Sequence, residues 1–120
     1  MYEQRIVLAN GSRLMRDMLK RIFFKSDHLE VIQEVIDPKE LPSVIEHRQP
    51  EWVILSLAFD NGVPAWVDGF MASHPSVRFM AISADGSRIK LKWLEAHEQE
   101  LNGLSLNDLI KILEKGSVGP

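Results

Sequence analysis

The sequence predicts an α/β protein, a three-layer α/β/α sandwich built on a five-stranded parallel sheet. Two observations carry this expectation. Short, nearly unbroken apolar runs recur at Arg5–Ala9, Leu29–Ile36, Trp52–Ala58 and Val77–Ala84, and each has the length and β-branched content of a strand covered on both faces. Between them lie stretches whose apolar residues repeat at helical spacing behind recognisable start signals. Strands alternating with helices over short connections form parallel β-α-β units.

Each element has a local cause. Ile6, Val7 and Leu8 run without alternation until Asn10-Gly11-Ser12 breaks the strand,. Ser12 then caps a helix. Leu14, Met15, Met18, Leu19, Ile22 and Phe23 fall on one stripe of it, with Arg13, Arg16, Asp17, Lys20 and Arg21 on a solvated side,. Lys25-Ser26-Asp27-His28 separates this helix from a strand over Leu29–Ile36, which belongs near a sheet edge,. Asp37-Pro38-Lys39-Glu40 signals a short helix running to about Arg48,. Pro42 leaves two readings for its start, a distorted first turn or a later beginning.

The run Trp52–Ala58 is the central strand. After Asp60-Asn61-Gly62, a stripe of Ala65, Trp66, Val67, Phe70 and Met71 marks a helix that stops at His74-Pro75,. Residues 87–97 admit two readings. Asp85-Gly86 followed by the alternating Ile89-Lys90-Leu91-Lys92-Trp93 reads as a hairpin strand,. Ile89, Trp93 and Leu94 are also spaced as a helical face. Glu98–Leu101 is a last short strand, and Leu106, Leu109, Ile110 and Leu113 form the stripe of a final helix capped at Ser105 and ended by Gly116,.

The 120 residues suit one domain over 1–116 with a frayed tail at 117–120,. With 17 acidic and 14 basic side chains the net charge is −3, which does not suggest a nucleic-acid binder. The absence of cysteine excludes disulfides, thiolate metal centres and cysteine nucleophiles, and makes a reducing cytoplasm the expected setting. The longest stretch without Asp, Glu, Lys or Arg is nine residues, Gly69 to Val77, against the roughly twenty that a membrane-spanning helix needs. Ile6 to Ala9 is likewise too short for a signal-peptide core. His28, His47, His74 and His97 share no metal-ligand spacing,. A site in such a fold forms outside the carboxyl ends of the strands.

The order of motifs resembles a response-regulator receiver domain, the phosphorylatable half of bacterial two-component systems. Arg5-Ile6-Val7-Leu8-Ala9-Asn10-Gly11-Ser12-Arg13-Leu14-Met15-Arg16 resembles the family's opening strand and helix. Pro50-Glu51-Trp52-Val53-Ile54-Leu55-Ser56-Leu57 resembles the strand that delivers the phosphoacceptor aspartate, and Val77–Ala84 the strand ending in a switch Ser or Thr. The resemblance implies a flavodoxin-like topology, with a remodelled region where the fourth helix would lie. It also implies a degenerate pocket: Asn10 and Gly11 stand for the acidic pair, Ser56 for the aspartate and Asn102 for the lysine, while Ser83 alone keeps its chemistry.

Magnesium takes hard, mostly anionic oxygens, and aspartyl-phosphate chemistry needs a carboxylate nucleophile with cations around the transferred group. Asn10, Gly11 and Ser56 supply none of these. The expectation is therefore a pseudo-receiver that is no enzyme, binds no metal or cofactor, and acts through another signalling or regulatory protein or by self-association as a homodimer. Asp60 could serve as a displaced acceptor but reads more simply as a turn residue. Ile89, Leu91, Trp93 and Leu94 are the candidate partner surface, since tryptophan is enriched at interfaces as well as in cores.

Overall fold

A computed structural model describes residues 4–57, 63, 66–74, 76–83, 85–93, 97–102 and 106–115. The elements run β1 (Gln4–Leu8), α1 (Arg13–Phe24), β2 (Leu29–Glu34), a 3-10 turn (Pro38–Glu40), α2 (Leu41–Arg48), β3 (Trp52–Ser56), α3 (Trp66–Ser73), β4 (Arg78–Ile82), β5 (Arg88–Trp93), β6 (His97–Asn102) and α4 (Leu106–Lys115). One sheet holds them in the order β2-β1-β3-β4-β5-β6. Its first five strands follow the flavodoxin-like order, as expected.

Two features of the sheet differ from expectation. It has six strands, and β5 pairs antiparallel with both β4 and β6, whereas β1, β2, β3 and β4 are parallel to one another. The cause is chain length. Only five residues separate Ile82 from Arg88, and a parallel neighbour needs a crossover of a dozen or more. Residues 88–93 are thus strand and not helix. Their alternation divides the two faces: Ile89 and Leu91 enter the core shared with α1 and α4, while Lys90 and Lys92 stand opposite Ala81 and Phe79 on the other face.

The parallel strands bury both faces. Ile6, Leu8, Trp52, Ile54, Met80 and Ile82 face a core closed by α1 (Met15, Leu19, Phe23) and α4 (Leu109, Ile112, Leu113). Val7, Val53, Leu55, Phe79 and Ala81 face the opposite core under α2 (Leu41, Ile45) and α3 (Val67, Met71). This two-sided burial is the reason the sequence runs are apolar without alternation.

Local signals act as read. Ser12 Oγ accepts a hydrogen bond from Met15 N at 3.2 Å and caps α1. Asp37 Oδ1 accepts from Lys39 N at 3.0 Å, which starts a 3-10 turn, and the α-helix itself begins only at Leu41 with Pro42 in its first turn, so the start is both distorted and late. Gln49 ends α2 at φ 47°, a left-handed conformation.

Candidate functional site at the carboxyl ends of the parallel strands

The ends of β1 and β3 lie side by side, with Ala9 N donating to Ile54 O at 2.8 Å. This registry brings Asn10 and Gly11 against Ser56. Gly11 N donates to Ser56 Oγ at 2.8 Å, and a Cβ at position 11 would come to 3.4 Å of the same oxygen. Asn10 is 2% exposed. Its Nδ2 donates to Leu55 O at 3.3 Å and its Oδ1 accepts from Ser12 N at 2.9 Å. The buried amide therefore uses both ends of its side chain to hold two backbone segments together, as a buried polar group must.

Arg16 adds a third tie, and here the sequence reading is corrected. The stripe pattern sets it on the solvated side of α1, yet it is 6% exposed. Its Nη1 donates to Asn10 O and its Nε to Glu34 Oε1, both at 2.7 Å. Lys20 Nζ reaches the other oxygen of Glu34 at 2.9 Å. The bonds from Lys20 and Arg16 hold the Glu34 carboxyl below the ordinary carboxylate range, and Glu34 in turn raises the Lys20 ammonium. Helical spacing places Arg16 at the flank of the Met15–Leu19–Phe23 stripe and the exposed Arg13 farther round,, a signal that dividing the helix into a stripe and an opposite side overlooks. Its partner Glu34 lies on another element.

On the neighbouring strand end, Ser83 turns away from Ser56 and into the β4–β5 connection. Ser83 Oγ donates to Asp85 Oδ1 at 2.8 Å and accepts from Arg88 N at 3.0 Å. Asp85 Oδ1 also accepts from Ser87 N at 2.9 Å and Ser87 Oγ at 2.7 Å. These donors, Ser87 foremost, bring the exposed Asp85 carboxyl down to about 2. Gly86 follows at φ 76°, a conformation that suits glycine.

Asn10, Gly11 and Ser56 thus form one bonded cluster, with Ser83 at the adjoining strand end. The Asn102 backbone lies on β6 opposite Arg88, one strand farther out than the fifth strand that the resemblance implies for the lysine, and its side chain lies outside the described residues. Asp60 lies outside the described residues.

Chemically, the cluster offers one hydroxyl and one amide. Both are engaged with backbone groups of neighbouring segments. Among these residues no three His, Cys, Asp or Glu side chains gather as a metal site would require.

The candidate partner surface is also redrawn. Ile89 and Leu91 are 1% and 0% exposed and belong to the core shared with α1 and α4, so they give a partner nothing to touch. Alternation along a half-covered strand put them there. The Trp93 side chain and Leu94 lie outside the described residues.

No protein-family model matches the sequence, and no curated protein matches it. Among solved structures, the chain is similar to the signal receiver domain of the putative response regulator NarL from Mycobacterium tuberculosis, at TM-score 0.58 and 22% identity, over 70% of this chain and 68% of that one. The response regulator domain of Thermotoga maritima CheB is similar at TM-score 0.55 and 17% identity, over 68% of this chain and 60% of that one. A LuxR-family two-component response regulator from an Aurantimonas species is similar at TM-score 0.56 and 16% identity, over 67% and 58% respectively. The chain spans less than two thirds of the latter two. Together with the strand order, these likenesses establish that the chain has the α/β fold of response-regulator receiver domains.

Proposed function

We propose that this chain is a receiver-like signalling module that works by binding another protein, independently of phosphorylation at the Asn10–Ser56 cluster. The observation that carries the reading is the hydrogen bonding of that cluster. Where the fold would hold its acidic pair and phosphoacceptor, Asn10 is spent on Leu55 O and Ser12 N, and Ser56 Oγ accepts from Gly11 N. A metal-assisted phosphoryl transfer needs fixed negative oxygens and a carboxylate nucleophile, and these residue types provide neither. With the chemistry gone and both cores intact, the surface is what remains to carry a signal.

Beryllofluoride with magnesium mimics an aspartyl phosphate and tests the reading without a known partner. In 15N-correlated NMR spectra the amides of Asn10, Gly11, Ser56 and Ser83 are expected to stay in place on its addition. Saturable shifts at those amides overturn the proposal and point to a working acceptor.

A further inference from the structure

Asn10-Gly11 carries a reactivity of its own, apart from any phosphoryl chemistry. In an asparagine–glycine pair the backbone closes readily on the side chain, because glycine has no Cβ to hinder the approach. The glycine nitrogen gives its proton to solvent base and attacks the asparagine Cγ. An N–C bond forms, the Cγ–Nδ2 bond breaks, and Nδ2 leaves as ammonia. Water then opens the resulting succinimide at either carbonyl, which leaves an aspartyl or an isoaspartyl residue. Nothing is oxidised or reduced, and water is the only co-reactant.

Each atom that must move in this reaction is tied down in the folded chain. The nucleophile, Gly11 N, donates to Ser56 Oγ at 2.8 Å. The leaving group, Asn10 Nδ2, donates to Leu55 O at 3.3 Å, and Oδ1 accepts from Ser12 N at 2.9 Å. Cγ is therefore pinned between β3 and the start of α1, and ring closure breaks the bonds of both nitrogens. Burial does not shield the pair by itself. Asn10 is 2% exposed, but Gly11 is exposed, so solvent base reaches its nitrogen from outside. What withholds the Gly11 proton is the bond to Ser56. Asp85-Gly86 has the same spacing without the same chemistry: a carboxylate must be protonated before it can lose an oxygen, and the donors around Asp85 keep it ionised.

We propose that Asn10-Gly11 is a latent self-modification site, at which the Gly11 nitrogen cyclises onto the Asn10 side chain, and that the Ser56 hydroxyl keeps it closed in the folded chain. Ser56 neither attacks nor leaves; it is a positioning residue that controls when Gly11 N is free to react. Conversion of Asn10 leaves Leu55 O without its side-chain donor, so each modified molecule loses one tie between the end of β1 and β3. The proposal holds whether or not the cluster takes a phosphoryl group.

Peptide mapping by mass spectrometry tests it on the full chain held in mildly alkaline buffer, with Asn102-Gly103 as a reference pair in the same digests. Folded wild type should convert at Asn10 at least about a hundredfold more slowly than the chain unfolded in guanidinium chloride. That ratio should track the hydrogen-exchange protection of the Gly11 amide, since both processes require the Ser56 bond to open. Ser56→Ala should speed conversion at Asn10 at least about tenfold and leave the reference rate unchanged, as expected for loss of one hydrogen bond. Ser56→Thr keeps a hydroxyl and should stay near wild type. Wild type converting at the unfolded rate, Ser56→Ala converting no faster than wild type, or a rise at Asn10 matched by the reference pair would each overturn the assignment. Beryllofluoride does not enter this experiment, so either proposal can fail alone.

Discussion

Asn10 shows how one side chain can close off a chemistry while holding a fold together. Its amide donates to Leu55 O and accepts from Ser12 N at 2% exposure. Replacing it by aspartate would restore the residue type that receivers carry there, but the outcome should be loss of stability. The carboxylate would lack the donor for Leu55 O and would sit buried against an acceptor. An orphaned buried partner costs on the order of 1–3 kcal/mol, and urea unfolding at neutral pH should show Asn10→Asp weaker by about that much. Burial raises a carboxyl group's pKa in such a setting. The deficit should therefore shrink in acid as the protonated variant regains a donor. An Asn10→Asp protein as stable as wild type at neutral pH would mean the cluster tolerates an acid. Neither the partners of Arg16 nor this double bonding could be read from residue order alone, since both depend on β1, β2 and β3 meeting in space.

At the scale of elements, most of the architecture was legible because burial on both sheet faces leaves unbroken apolar runs, and amphipathic helices leave stripes. The region after Ser83 was legible only as two competing readings, since Ile89, Leu91 and Trp93 alternate while Ile89, Trp93 and Leu94 also fit a helix. What decides is the turn. Asp85 gathers Ser83, Ser87 N and Ser87 Oγ on one oxygen, and this turn fixes β5 antiparallel to β4. The ionised carboxylate is the form these donors favour, so the folded-state value of about 2 lies below the ordinary 3.8. The turn's contribution is then complete above about pH 4 and is lost as pH falls through about 2,. Ser87 amide shifts followed against pH should titrate near that lower value, and Ser87→Ala should move the midpoint up toward the ordinary one. A wild-type midpoint near 3.8 would show that the turn is not held this way. The burial of Ile89 and Leu91 escapes the sequence for a related reason: alternation marks which residues share a face, but only the position of α4 tells which face is inside.

For the molecule as a whole, protection should follow depth in the sheet. β1, β3 and β4 have neighbours on both sides and a core on each face, whereas β2 and β6 end the sheet. Native-state hydrogen exchange should find the amides of Val7, Ile54 and Met80 opening only with global unfolding, and those of β6 orders of magnitude sooner by local opening. Equal protection in β6 and β3 would show that the added strand is as deeply integrated as the centre.

The five-residue connection between β4 and β5 also bears on how the chain reaches this state. In an all-parallel sheet every pairing waits for a helix-length segment to be spanned, and such distant closures slow folding. Here the β4–β5 pair can close across a short loop, on the scale of about 1–10 μs typical of hairpins. β1 must instead find β3 across α1, β2 and α2. The quickest native pairing thus lies in the carboxyl-terminal half of this domain, which leaves the ribosome after the other half, so the amino-terminal strands emerge before the part of the sheet best able to form on its own.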